Sequence, residues 1–222
     1  MNSNIHLKFL FILISLLILG LAQGDPEPLQ DYCVADTTGQ HSFFMNGQPC
    51  LDPELTSPNH FATSALSRPG NTSANQFGFS VILTSNQNLP GRRTQGLTLA
   101  RVDIAPDGLV PPHSHPRASE VATCLKGDIL VGFVDTSNKM YTQRLRPGES
   151  FVFPKGMIHF LYNVDQRSPA MAISGLTSEN PGTQIASIAT FTSQPPMPNK
   201  VLEKAFQIDG QEVTRIRNHL QG

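Results

Sequence analysis

The sequence predicts an all-β domain, a sandwich or closed barrel of about eight strands followed by two short helices. Three observations carry this expectation. Glycine and proline number 17 and 18 of 222 residues, punctuation that suits many short strands and turns better than long helices. From Phe77 onwards, apolar segments recur between Gly, Pro, Asn and Asp, and several alternate apolar with polar positions. Only near the C-terminus does helical spacing replace that alternation.

In chain order, Lys8 precedes an apolar run from Phe9 to Leu19 broken only by Ser15. Small residues (Ala22, Gly24) and the polar Asp25-Pro26-Glu27-Pro28 follow. One cation, a short apolar stretch and a small-residue cleavage site read as a secretory signal peptide over residues 1–24. The run falls short of the ~20 residues of a membrane span. A single soluble domain is expected over 25–222, with no membrane partner once the signal is removed. Residues 25–70 read as a loop-rich extension, with prolines at 26, 28, 49, 53, 58 and 69.

The β region is expected over about 71–193. Its strands are Phe77–Leu83, Leu97–Ile104, Glu120–Val134, Met140–Leu145, Phe151–Phe153, His159–Val164, Met171–Leu176 and Ile185–Phe191, with no helical period among them. Gln194-Pro195-Pro196-Met197-Pro198-Asn199 closes it. Val201, Leu202, Ala205 and Phe206 then share one helix face, and Val213, Ile216 and Leu220 a second, with Gly210 between. These helices, within about 199–220, have apolar faces to bury against the barrel or another subunit.

The charge balance excludes one partner class. Sixteen basic and 17 acidic residues give a net charge of −1, whereas a nucleic-acid binder needs a basic excess to displace counterions. A 39% hydrophobic content supplies a core and rules out global disorder. In a secreted chain the close pair Cys33 and Cys50 is expected to be bridged. Cys124, in an apolar strand, is left as a small buried thiol. Asn71-Thr72-Ser73 is a glycosylation sequon after the turn-forming Arg68-Pro69-Gly70.

The chemistry-bearing segment is Pro111-Pro112-His113-Ser114-His115-Pro116-Arg117-Ala118-Ser119-Glu120. Residues two apart on a strand share a face, so His113 and His115 can aim at one point. Glu120 opens the next strand and can return a carboxylate to it. His159 follows a Pro154-Lys155-Gly156 turn that feeds another strand. Three imidazoles and one carboxylate suit a divalent first-row metal, and the lack of a nearby thiolate argues against structural zinc. Four protein ligands leave an octahedral ion open positions for chemistry. His41, His60 and His219 have no such company and read as surface or packing residues.

These residues carry a family resemblance. His113-x-His115-x₄-Glu120-x₆-Gly127 resembles the first cupin motif, and Gly148-x₅-Pro154-x-Gly156-x₂-His159-x₃-Asn163 matches the second. Gln30-Asp31-Tyr32-Cys33-Val34-Ala35-Asp36 and the block Pro112 to Glu120 resemble plant germins and germin-like proteins. The resemblance covers essentially the whole chain from Asp25. It implies a cupin jelly-roll β-barrel with short C-terminal α-helices, assembled as a hexamer, a trimer of dimers. It also implies the apoplast or cell wall as location, a Cys33–Cys50 disulfide, and one manganese per subunit held by His113, His115, Glu120 and His159.

Two departures matter. Asp107 stands where many cupins have a glycine, which is expected to shift a turn and leave the ligands intact. Germins that oxidise oxalate carry two substrate-holding asparagines, and here those positions are Ala100 and Val110. Neither side chain can donate a hydrogen bond, and each lost bond costs a bound dianion on the order of 1–3 kcal/mol. Weak or no oxalate oxidase activity is therefore expected, and the resemblance to germin-like proteins implies superoxide dismutase activity instead, with a role in defence or development. The alternative is a glycosylated wall or ligand-binding protein whose metal is structural. No phosphate-cradling Gly-rich loop supports nucleotide-sugar chemistry, and Gly127 in Lys126-Gly127-Asp128 reads as a turn residue rather than part of an adhesion tripeptide.

Overall fold

A computed structural model describes residue 8, residues 31–38 and residues 49–221; apart from Lys8, the expected signal peptide over 1–24 lies outside the described residues, as does His41. The fold is a jelly roll of two five-stranded antiparallel sheets. In chain order the strands are β1 (Phe79–Leu83), β2 (Thr98–Ile104), β3 (Leu109–Ser114), β4 (Glu120–Lys126), β5 (Ile129–Val134), β6 (Met140–Leu145), β7 (Ser150–Phe153), β8 (Ile158–Asn163), β9 (Ala170–Leu176) and β10 (Gln184–Ile185). One sheet runs β1-β2-β9-β4-β7 and the other β10-β3-β8-β5-β6.

The alternation of side chains along these strands builds the interior. On β9, Ala170, Ala172, Ser174 and Leu176 are buried while the residues between them are not. On β8 the buried set is His159, Leu161 and Asn163. The core between the sheets gathers Val102, Ile104, Ile129, Val131, Leu145, Phe153 and Leu161 with small residues such as Ala122 and Ala172. Asn163, fully buried, donates through Nδ2 to the carbonyls of Ala105 and Ser168, both at 2.8 Å. The amide thereby ties two loops together and leaves no uncompensated donor.

Two expected strands are corrected. The stretch Glu120–Val134 is not one strand: Gly127, at φ +85°, turns the chain between β4 and β5. A Cβ at Gly127 would lie 2.7 Å from that of Ala170, so the turn requires glycine on two counts. The stretch Ile185–Phe191 contributes one residue to β10 and then forms helix α1 (Ala186–Phe191). A short apolar run does not distinguish a strand from a buried helical turn.

Helices α2 (Asn199–Phe206) and α3 (Gly210–Gln221) follow, and Gly210 opens α3 rather than merely separating the two. Leu202 and Val213 pack fully buried with Phe191, and Met197, Ile208, Ile216 and Leu220 surround them. Val201 and Phe206, expected on the buried face of α2, are half exposed. The Arg217 guanidinium donates to the Phe191 and Met197 carbonyls and to Asn199 Oδ1. It thus fastens α3 to the end of α1 and the start of α2.

Near the N-terminus, Cys33 and Cys50 are bonded, with their Cα atoms 5.2 Å apart. An isolated bridge between Ala35 and Cys50 runs alongside, and the Ala35 amide donates to the Pro90 carbonyl at 3.0 Å. Among the described residues, no helix is long and apolar enough to cross a membrane.

Candidate metal centre

The four residues singled out from the sequence meet between the two sheets. His113 on β3 faces His159 on β8 as a direct cross-strand pair. Their ring centroids are 4.1 Å apart. Three steps of β3, from Val110 to His113, span the two steps of β8 from Leu161 to His159. That bulge falls on Pro111 and Pro112, which have no N–H to give the ladder. Its consequence is that Val110 and His113, an odd number of residues apart, both line the interior. His115 lies just past the end of β3. Glu120 is the first residue of β4, in the opposite sheet, paired with Phe153 and Leu176. The site therefore joins the sheets, with imidazoles from one side and a carboxylate from the other.

The ligand atoms of His113, His115, Glu120 and His159 all lie within 4.8 Å of one another, and all four residues are buried. Each imidazole is oriented by a backbone carbonyl: His113 Nδ1 to Pro111 at 2.8 Å, His115 Nδ1 to Gly182 at 2.5 Å and His159 Nδ1 to Met157 at 2.9 Å. A carbonyl oxygen can only accept, so every Nδ1 carries a hydrogen and, in the neutral ring, every Nε2 presents a lone pair to the centre. Glu120 Oε2 stands 3.0 Å from His115 Nε2 and 3.4 Å from His159 Nε2. His159 Nε2 is buried without a hydrogen-bond partner.

The electrostatics follow. Burial, reinforced by His159, pushes the His113 pKa down to about 4. Burial also works against ionised Glu120, but its closeness to the His115 and His159 imidazoles holds its carboxyl well below the usual range. Burial pulls His115 down too, and the Glu120 carboxylate with the Gly182 carbonyl outweighs it, so its pKa is raised. Three lone pairs and a carboxylate crowded together repel unless a cation stands among them. The orphaned Nε2 of His159 has no other use. A divalent first-row ion fits this nitrogen-rich, thiolate-free donor set.

The centre opens onto a cavity of about 160 Å³ that Ala100 and Val110 help to line. Phe153 stacks on the His159 ring, centroids 4.4 Å apart and planes 22° from parallel. Gly182 and Thr183, the latter with its hydroxyl 3.5 Å from His115 Nδ1, were not singled out from the sequence. Gly182 acts through a backbone carbonyl, which leaves no side-chain signal.

The other expected residues lie elsewhere. Asp107 keeps its turn by adopting φ +58° itself, a conformation Asp tolerates better than most residues. Cys124 is buried, and burial raises its thiol pKa, the opposite of what a reactive cysteine needs. Asn71 is exposed at the start of a short 3-10 turn, where its Oδ1 accepts from Ser73 N and Oγ. His60 Nδ1 accepts from the Ser57 amide, and His219 Nδ1 lies 3.0 Å from the Arg215 carbonyl.

Comparison with known proteins agrees with this arrangement. The Cupin family model matches residues 64–214. Germin-like protein subfamily 1 member 1 of Arabidopsis thaliana is 56% identical over 207 residues, 93% of this chain and 95% of that protein. Germin-like protein 3-1 of Oryza sativa subsp. japonica is 53% identical over 216 residues, 95% of this chain and 96% of that protein. A solved structure of oxalate oxidase superposes with a TM-score of 0.83 at 37% identity, covering 88% of this chain and 98% of that one.

Proposed function

Since the chain belongs to the germin-like proteins of the cupin family, we propose that it is a secreted manganese protein that dismutes superoxide. The observation that carries this reading is the convergence of three Nε2 lone pairs and one carboxylate, each imidazole locked by its own carbonyl acceptor. Manganese, in this reading, supplies the one-electron exchange by which two superoxide ions and two protons become dioxygen and hydrogen peroxide. His113, His115, Glu120 and His159 hold the ion and, by burial, keep its surroundings dry. The small diatomic anion needs no specific side-chain donors. Thr183 brings the one hydroxyl among the cavity's lining residues.

Oxalate oxidation is the second reading, favoured by the 37% identical oxalate oxidase structure. Ala100 and Val110 oppose it, because a dianion in this cavity meets hydrocarbon where it needs amide donors. The Cys33–Cys50 bridge supports passage through an oxidising compartment, and hence an apoplastic or wall location with Asn71 glycosylated. Assembly into a hexamer is part of the same proposal. Its support is an exposed apolar row on one outer sheet face, where Leu99 pairs Gly175, Gly175 pairs Val121 and Val121 pairs Val152.

Metal analysis of protein from its native source, with superoxide and oxalate turnover measured in parallel, tests these readings. Manganese and dismutation that vanish together in His113→Ala or Glu120→Ala, with the oligomer intact, are expected. Robust manganese-dependent peroxide release from oxalate would overturn the choice between the two.

A further inference from the structure

The cavity beside the four ligands is larger and more apolar than a diatomic anion requires. Its volume is about 160 Å³, and apart from the ligands and Thr183 every lining side chain is hydrocarbon, Phe79, Val102, Leu161, Leu176 and Ile185 among them. An apolar cavity of roughly 150 Å³ stays dry and takes up benzene, which sets the scale of an occupant.

Charge sets the other half of the occupant. With every Nδ1 hydrogen given to a carbonyl, the three histidines coordinate as neutral imidazoles, and Glu120 contributes one negative charge. A divalent ion in this set leaves one net positive charge facing an apolar chamber. A single anionic group neutralises it. A second anionic group would have only the Thr183 hydroxyl as a lining side-chain donor and otherwise hydrocarbon, at a steep desolvation cost.

We propose that the site binds a compact apolar monocarboxylate, its carboxylate at the ion and its hydrocarbon body, up to about the size of a phenyl ring, against these walls. The proposal rests on the reading of the four residues as ligands of a divalent ion and names the class of molecule that this centre takes up.

Titration calorimetry on manganese-loaded protein, with acetate, benzoate and oxalate as probes, tests it, and benzoate is repeated after chelation. Benzoate is expected to bind at least 10-fold tighter than either acetate or oxalate, and at least 10-fold tighter with the ion than without it. Benzoate no tighter than acetate would mean the walls add nothing. Oxalate binding as tightly as benzoate would mean the chamber accepts a dianion. Affinity unchanged by chelation would mean the carboxylate is not at the ion. Each of these overturns the proposal. Manganese content and superoxide turnover are measured on the same sample. Protein that holds no ion overturns both readings, whereas protein that loads and dismutes but does not discriminate among the probes overturns this one alone.

Discussion

The carbonyl oxygen of Gly182 stands 2.5 Å from Nδ1 of His115, 67 residues away in the chain. Glycine is required there. Its φ is +68°, and a Cβ would lie 2.8 Å from the Arg117 guanidinium. Arg117 in turn holds the same loop, donating from Nε to the Asn180 carbonyl at 2.6 Å and from its terminal nitrogen to Asn180 Oδ1 at 2.9 Å. The loop therefore delivers the acceptor that fixes the His115 ring.

Gly182→Ala is expected to displace that acceptor without removing a ligand. Loss of such a partner typically weakens metal affinity by 10–100-fold. Chelator competition on refolded, metal-loaded variant and parent measures it. Equal affinity would show that the Gly182 carbonyl does not govern the His115 ring.

Acid should destabilise the chelated protein through His113. Its pKa is about 4 in the fold and near 6.5 in an unfolded chain. Between those values the unfolded chain takes up a proton that the folded one refuses, so stability falls as pH falls, by up to about 3 kcal/mol. Glu120, held low, adds stability above its unfolded value that is lost at still lower pH. His115, with a raised pKa, acts the other way, contributing stability below 6.5 that fades as pH rises through its folded value. Thermal unfolding of chelated protein from pH 7 to 4 is expected to show a falling midpoint, and His113→Leu a flatter profile. A midpoint independent of pH would contradict the burial of His113.

The strands and the metal set were readable from the chain for the same reason. Alternation marks which residues face inward, and His113, Glu120 and His159 stand on inward positions next to Leu161 and Ala122. What escaped was whatever depends on the backbone or on distant partners. The Pro111-Pro112 bulge changes the parity of β3 without altering residue types. The switch from β10 into α1 is hidden in an apolar run of uniform character. The carbonyl of Gly182 has no side chain to announce it, and the stacking of Phe153 on His159 joins consecutive strands that the fold sends to opposite sheets.

Removing the disulfide should lower stability and leave the metal centre alone. Cys33 and Cys50 are 17 residues apart, and closing a loop of that size is worth about 3 kcal/mol. The bridge secures Cys33, Val34 and Ala35, all buried, and none of them lines the cavity. A Cys33→Ser/Cys50→Ser protein is expected to melt roughly 5–10 °C lower with unchanged metal content. Parallel loss of the metal would mean that the N-terminal segment supports the site.

The outer face of the β1-β2-β9-β4-β7 sheet yields the last prediction. Leu99, Gly175, Val121 and Val152 form one row across β2, β9, β4 and β7, and the three side chains are 38%, 43% and 55% exposed. A contiguous apolar row on a sheet face is a place for another surface to pack. Gly175 has open space around its Cβ position and no positive φ, so nothing within this chain demands glycine there. A closely approaching neighbour would. Val121→Lys places a charge at the centre of that contact, and Gly175→Arg adds bulk as well as charge. Both point away from Glu120 and Ala122, which face inward, so the fold and the metal content should survive. If the proposed oligomer forms through this face, light scattering is expected to show a smaller assembly for both variants, with the metal retained. An unchanged mass would mean that this face does not join subunits.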